Sequence, residues 1–325
     1  MFNKLSIGLW VMDSAYNYDA SKDTALQKLE KASEIEGLNG VELVYPTHVN
    51  EKNYKEVKQF CGDKNIQVMS VNPNVWDGED FQKGAFTSGD PAARKRAVDY
   101  SRTAVDLGKE LGAGQMCLWP GQDGFDYPFQ DNYEAMWQYE MDGIKEVADY
   151  DKNYKIAIEY KAREPRSHIL LDSTSTVLMF SKLINAENVG VNLDFGHALL
   201  AGENPGEAVV KSMNAGKLFG VHINDNYGNT DEDMIFASVH HIETLEFIYY
   251  LKKLKYDGWI SQEFDARKVD PIKACSHCFN TLKVFENIAD KIDIKALLEA
   301  QKNSDSLESQ KIIAGAMLGG EMYGK

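Results

Sequence analysis

The sequence predicts an α/β protein: a closed (β/α)8 barrel with a short C-terminal helical extension. Three observations lead there. Short apolar, β-branched runs alternate eight times with longer amphipathic stretches, a rhythm that calls for parallel strands joined by helical crossovers. Eight such units in one chain favour a closed barrel over an open sheet. An open doubly wound sheet would also carry a Gly-rich phosphate loop after its first strand. Gly8-Leu-Trp10 offers no such loop.

The elements follow in order. Residues 4–10 read as a short strand ending in Trp10. Residues 19–37 put Leu26, Leu29, Ala32 and Ile35 on one face ahead of Gly37, an amphipathic helix with its C-cap. The second strand, 40–44, is closed by Pro46, and a helix is expected near 51–61. Residues 66–72 form the third strand. The loop from 73 to 89 is long for this architecture, and long loops often carry function. A helix over 90–112 has Pro91 in its first turn. The fourth strand, 115–119, ends in Trp119, and a helix is expected over 132–150. The fifth strand begins at Ile156 and runs into Glu159-Tyr-Lys161. Three further strands, 189–194, 218–222 and 259–263, alternate with helices over 173–184, near 203–214, and over 241–254 and 271–288. The tail reads as helical from 291, then Gly-rich near 315–320. The expected division is a barrel over 1–290 and a helical tail over 291–325.

Composition narrows the class. Among 325 residues, 43% are hydrophobic and 26% charged, enough apolar matter for a large globular core. A net charge of -15 argues against a general nucleic-acid binder, which needs a basic footprint. No apolar run reaches the roughly 18 residues of a membrane span. The N-terminus lacks the pattern of a signal peptide, so a cytoplasmic location is expected. Cys61, Cys117, Cys275 and Cys278 are too scattered for a disulfide framework. Cys275-Ser-His-Cys278 lacks the second pair of ligands that a closed zinc site requires, and it falls in a helix.

The chemistry concentrates where a barrel of this kind places it, at the C-terminal strand ends. Glu159 and Lys161 are two residues apart, hence on one face of the fifth strand. Alone they are a buried ion pair. However, the next three strands end in Asp194, His222 and Glu263. Three carboxylates converging with an imidazole repel one another unless a cation sits among them. Mostly oxygen ligands with one His suit Mg2+, Mn2+ or Co2+. His197, three residues after Asp194, and Asp231 and Asp233 after the seventh strand read as a second cation site that shares Asp194. Two divalent cations per subunit are therefore expected. Trp10 and Trp119 end the first and fourth strands, where their rings can wall a pocket against the C–H faces of a sugar.

These residues resemble the xylose isomerase family over nearly the whole barrel. Glu159-Tyr-Lys161-Ala-Arg-Glu164-Pro165-Arg166 is similar to that family's Glu-x-Lys-x-x-Glu-Pro-Arg signature. Asp194-Phe-Gly-His197 resembles its next-strand motif, and Gly216-Lys-Leu-Phe219 with His222, Asp231 and Asp233 its seventh-strand block. Tyr256-Asp-Gly258 before Glu263, Phe86-Thr-Ser-Gly-Asp90 and Leu118-Trp-Pro-Gly-Gln-Asp-Gly124 look like further family blocks. True xylose isomerases carry Asp where this chain has His222 and Glu263, and Glu where it has Asp194. The acid, acid, His, acid set looks more like the L-rhamnose isomerases and ketose 3-epimerases of the same superfamily. Val44-Tyr-Pro-Thr-His48 matches the ring-opening His region only loosely, and Asp265 competes with Glu263 under a two-residue shift of the eighth strand.

The resemblance implies a TIM barrel that interconverts an aldose and its ketose by a 1,2-hydride shift on the open-chain sugar. One ion would be held by Glu159, Asp194, His222 and Glu263, the other by Asp194, His197, Asp231 and Asp233. Lys161 would donate to the C1 oxygen and Asp233 would help move the hydroxyl proton, while Trp10, Trp119 and His197 border the sugar. The alternative is a ketose 3-epimerase passing a proton between Glu159 and Glu263, for which the Asp231/Asp233 cluster is superfluous. A metal-dependent apurinic endonuclease would need more His than seven and a DNA-binding face. A non-enzymatic sugar-binding barrel leaves Lys161 unexplained. The expected partner is a small sugar, with neither nucleic acid nor membrane, in a homodimer or homotetramer.

Overall fold

A computed structural model describes residues 2–13 and 23–319. The expected helix start at 19–22 and the chain end at 320–325 lie outside the described residues. In chain order the elements are β1 (Leu5–Gly8), α1 (Ala25–Ala32), β2 (Gly40–Tyr45), α2 (Tyr54–Asp63), β3 (Gln67–Pro73), α3 (Pro91–Leu111), β4 (Gln115–Leu118), β5 (Gly124–Phe125), α4 (Tyr133–Tyr150) and β6 (Lys155–Glu159). They continue with β7 (Arg163–Glu164), β8 (Ser167–Ile169), α5 (Thr174–Leu183), β9 (Val189–Asp194), α6 (Phe195–Leu200) and α7 (Pro205–Asn214). Last come β10 (Leu218–Ile223), α8 (His241–Lys253), β11 (Ile260–Gln262), α9 (Pro271–Asp290), α10 (Ile294–Lys302) and α11 (Ser306–Leu318).

Eight parallel strands close the barrel in the order β1-β2-β3-β4-β6-β9-β10-β11 and back to β1. Buried on both faces, they read as nearly continuous apolar runs, which is why periodicity found them. Register decides which side chains meet: His222 pairs with Asp194, and Glu159 with Asn192. Both pairs lie near the C-terminal rim of the barrel. Helix starts are capped by side chains the sequence supplies. Thr24 and Gln27 form a reciprocal capping box on α1, and Asp90 accepts from the Ala92 N–H ahead of α3.

Four departures from the sequence reading bear on the site. The first strand stops at Gly8, and Leu9–Asp13 coil into a 3-10 turn that carries Trp10. The eighth barrel strand stops at Gln262, so Glu263 stands just beyond it. An antiparallel sheet of β5, β8 and β7 was not anticipated, because two- and three-residue strands have no periodicity to read. In the tail, α11 continues through Gly315 to Leu318 where a Gly-rich end was expected. One helical glycine costs only about 1 kcal/mol. The described cysteines are all free and buried. Cys275 and Cys278 face the core from α9 while His277 faces solvent. No described helix is long and apolar enough to cross a membrane.

Candidate active site

The centre of the rim is built from four strand ends. Glu159 closes β6, Asp194 closes β9, His222 is the fifth residue of β10, and Glu263 follows β11. One donor atom from each lies within 4.8 Å of the others. His222 Nδ1 is 2.5 Å from Glu263 Oε2 and 3.2 Å from Glu159 Oε2. Each carboxylate is further held from outside. Glu159 Oε2 accepts from the Cys117 thiol at 2.9 Å and from Asn192 Nδ2 at 3.1 Å. Asp194 Oδ2 accepts from Asn224 Nδ2 at 2.9 Å, and Glu263 Oε1 from the Trp10 indole at 3.1 Å.

Local sequence explains how Asp194 and His197 share the rim. Asp194 is the N-cap of α6: its Oδ1 accepts from the His197 N–H at 2.7 Å. An Asp-x-x-His spacing thus delivers the imidazole at the third residue of α6, within its first turn. Gly196 is required between them. A Cβ there would stand 2.6 Å from Asn224 Oδ1 and 2.8 Å from Asn226 Nδ2.

A second group adjoins the first. His197 Nε2 is 3.1 Å from Asp231 Oδ2, and Lys161 Nζ is 2.7 Å from the same oxygen. Lys161 also pairs with Glu164 and lies 5.1 Å above the Trp119 ring. Among the described residues, His197 Nδ1 and Asp231 Oδ1 are buried without a hydrogen-bond partner. Asp233, with φ at +45°, receives a 3.3 Å hydrogen bond from Asn224 Nδ2. Here the grouping is looser than in the first set, because Lys161 occupies one oxygen of Asp231.

The electrostatics follow from crowding acids in a buried place. Burial pushes Glu263 up to about 7, with the charge of Glu159 adding to it. Burial also lifts Asp194 to about 6 against the pull of His197. Burial would raise Glu159 too, but His222 beside it holds the carboxyl at about 2. Asp233 is raised well above the carboxylate range by burial and then by Asp231 and Glu263. Burial opposes the charge on Lys161, yet Asp231 and Glu164 outweigh it and hold the ammonium charged. Such a set invites a cation. Three carboxylates and one imidazole nitrogen, already gathered, fit a hard or borderline divalent ion. Among the described residues His197, Asp231 and Asp233 do not gather into a second such set: His197 Nδ1 faces Glu159 Oε1 at 3.4 Å, while its Nε2 meets Asp231.

Above the carboxylates lies a cavity of about 260 Å³, walled by Trp10, Trp76 and Trp119 and floored by Glu159, Glu263 and Asn72. The Trp76 and Trp119 rings meet at 5.3 Å between centroids with their planes tilted by 50°. Two residues that the sequence left open are placed here. Glu263 stands in the carboxylate group, whereas Asp265 is turned outward onto Arg267 at 2.5 Å. His48 is buried at the end of β2, where its Nδ1 accepts from the Val44 N–H at 3.1 Å and its Nε2 faces Asp13 at 3.9 Å. It does not border the cavity.

Sequence reasoning missed Trp76, Glu42, Asn72, Cys117, Asn192 and Asn224. Trp76 sits in the long loop already marked for function. Glu42 was legible as an acid inside the apolar run Gly40-Val-Glu-Leu-Val44. The asparagines carried no signal, since only the barrel closure brings them to the rim. The remaining motif blocks are structural. Asp123 ties the turn after β4 to residues 85–87 by accepting from the Ala85, Phe86 and Thr87 N–H groups. Arg166 of the Glu-Pro-Arg run binds Asp126 at 2.8 Å across the small sheet.

Known proteins share this build. A xylose isomerase of Thermus thermophilus is 28% identical over 284 residues, covering 81% of this chain and 72% of that protein. A D-tagatose 3-epimerase-like protein superposes with a TM-score of 0.72 at 22% identity, covering 88% of this chain and 98% of the other. An L-ribulose 3-epimerase gives 0.68 at 17%, covering 88% and 95%. These two likenesses are of fold. The family described as xylose isomerase-like TIM barrel matches residues 29–295. With that match spanning most of the chain and taking in seven of the eight barrel strands, the protein belongs to the xylose isomerase-like TIM-barrel family and is an enzyme of the isomerase type.

Proposed function

We propose that the chain is a metal-dependent sugar isomerase that interconverts an aldose and its ketose in open-chain form by a 1,2-hydride shift. The observation carrying this reading is the second group: charged Lys161 on Asp231, beside His197 and Asp233, next to the four-residue set. A proton-passing epimerase needs one ion and two opposed carboxylates, and leaves the second group without a task. Glu159, Asp194, His222 and Glu263 would hold one divalent ion, and Asp194, His197, Asp231 and Asp233 the other. Bound there, the ions supply Lewis-acid polarisation of the carbonyl and a template for the sugar oxygens.

The chain's own groups do the rest. Lys161 is held cationic by two carboxylates, so it acts as a fixed donor to the C1 oxygen and not as a base. Asp233, at the edge of the second group beside Asn224, would relay the hydroxyl proton. Trp10, Trp76 and Trp119 exclude water and pack on the C–H faces of the sugar. The second reading is a ketose 3-epimerase. It is favoured by Glu159 and Glu263, which meet at one nitrogen of His222 from different strands and both border the cavity.

The test is NMR of the chelated, then Mn2+-restored protein with a panel of aldoses and ketoses in D2O. Ketose lacking deuterium at C1 is the expected result. Deuterium at C1 would replace the hydride shift by proton transfer. Inversion at C3 of a ketose, without aldose turnover, would move the protein to the epimerases.

A further inference from the structure

We propose that Glu42 is the positioning residue of the site: from the barrel interior it accepts the hydrogen bond of the His222 Nε2–H, which leaves Nδ1 as the ligand nitrogen for the divalent ion that Glu159 and Glu263 would hold. The inference rests on the metal reading given above.

Glu42 is the third residue of β2, 180 positions from His222 and on a strand that does not pair with β10. Its side chain is wholly buried. An unpaired carboxylate there would be prohibitively costly, so its partners define what it is for. Both oxygens are committed. Oε1 lies 2.9 Å from His222 Nε2. Oε2 accepts from Ser70 Oγ at 2.8 Å and from Asn72 Nδ2 at 3.0 Å. Asn72 in turn accepts from the Cys117 N–H at 2.9 Å, which fixes which end of its amide faces Glu42. The donors from Asn72 and Ser70 thus hold the carboxylate plane, and the carboxylate holds the ring.

A neutral imidazole carries one proton. Both ring nitrogens of His222 face carboxylate oxygens; once a divalent ion takes Nδ1, the one remaining proton sits on Nε2 against Glu42. Nδ1 is the nitrogen aimed at the carboxylate group, 2.5 Å from Glu263 and 3.2 Å from Glu159. A carboxylate behind a ligating His also raises the basicity of the ligand.

The rival assignment is a buried ion among Glu42, Cys117 and His222, whose donor atoms also lie within 4.8 Å of one another. The Cys117 thiol keeps its hydrogen and gives it to Glu159 Oε2, so it is not the thiolate that such an ion needs.

An amide cannot replace Glu42. It has one accepting and one donating end, whereas the site offers donors on both sides. If the Gln oxygen faces His222, its NH2 meets the NH2 of Asn72. If it flips, its NH2 faces Nε2, drives the proton to Nδ1 and removes the ligand.

The experiment uses the full chain, chelated and titrated with Mn2+, as wild type, Glu42→Gln and Ser70→Ala. 15N spectra of the histidines in the Mg2+-loaded protein run alongside. Expected are a loss of affinity of about 10–100-fold at one Mn2+ step for Glu42→Gln, under about threefold for Ser70→Ala, and a His222 proton moved from Nε2 to Nδ1 in the Gln variant. Unchanged Mn2+ affinity in Glu42→Gln overturns the inference, as does loss of a whole equivalent with the remaining affinity intact, which would assign the buried trio instead. Wild type alone also decides, should the Gln variant not fold: a proton on Nδ1 in Mg2+-loaded protein overturns the proposal. Wild type that binds no Mn2+ overturns the metal reading, a different failure.

Discussion

Two side chains, Lys161 and Glu263, show how a residue's role is set by what it touches. Lys161 sits between Asp231 and Glu164 above the ring of Trp119, so it is a charge fixed in place. Lys161→Ala is expected to lower kcat by about 10²–10³-fold, the range for removing one stabilising donor, while Mn2+ binding measured by titration persists. Near-normal turnover would sink the assigned role. Glu263 and Asp265 are two residues apart, and sequence alone left both open. The chain turns between them, so Glu263 meets His222 while Asp265 meets Arg267 in solvent. Glu263→Gln is accordingly expected to weaken Mn2+ binding at least tenfold, by removing one charged ligand, and Asp265→Asn to leave it unchanged. Equal effects in the two titrations would mean that the eighth-strand assignment is wrong. Lys161, Asp194 and His197 were legible because their spacing is local. Trp76 and Asn224 were not, because their neighbours at the site are far away in sequence.

At the scale of elements, α6 matters most despite its six residues. Asp194 ends β9 and caps α6, so strand and helix meet at a residue of the site. Asn224, just after β10, bonds Asp194 and Asp233 and also receives the Gly196 N–H at 2.9 Å. Gly196→Ala would drive a methyl into Asn224 and Asn226. The expected cost is about 1–3 kcal/mol in urea denaturation, with Mn2+ affinity falling alongside as Asp194 loses its brace. A stable variant with full affinity would show that the loop yields without disturbing Asp194. Strands and long helices were readable in advance from apolar runs, caps and prolines. The 3-10 turn carrying Trp10 and the small sheet over the rim were not, since both arise where the chain bends to clear the barrel mouth.

For the whole molecule, the site and a distant buried acid both govern stability. Chelation is expected to lower the melting temperature, because ligand binding to the folded state alone contributes about 2.7 kcal/mol at a hundredfold excess over Kd. Calorimetry with and without Mn2+ checks it, and coincident melts would argue against any resident ion. Elsewhere Glu140 of α4 is wholly buried with neither oxygen bonded among the described residues, and burial, then Asp123, push its carboxyl well above the glutamate range. The sign follows directly. Above the ordinary glutamate value of about 4.3, the unfolded chain releases this proton and the folded chain retains it, so the group costs more stability as pH rises. Glu140→Met should therefore stabilise by about 1–3 kcal/mol at pH 8 and by less at pH 5, read from urea midpoints. A gain independent of pH would place a charged Glu140 in the native core. By itself the sequence determined the alternation of strands and helices, the closed barrel and the residues bearing chemistry at four strand ends, because those signals lie in runs of a dozen residues or fewer. Only the tertiary structure decided that Glu263 and not Asp265 joins the group, that His48 stays out of it, and that Glu42 stands behind His222. Those choices depend on register and closure across eight strands, which join residues as far apart as Trp10 and Glu263, 253 positions, and leave no trace in local spacing.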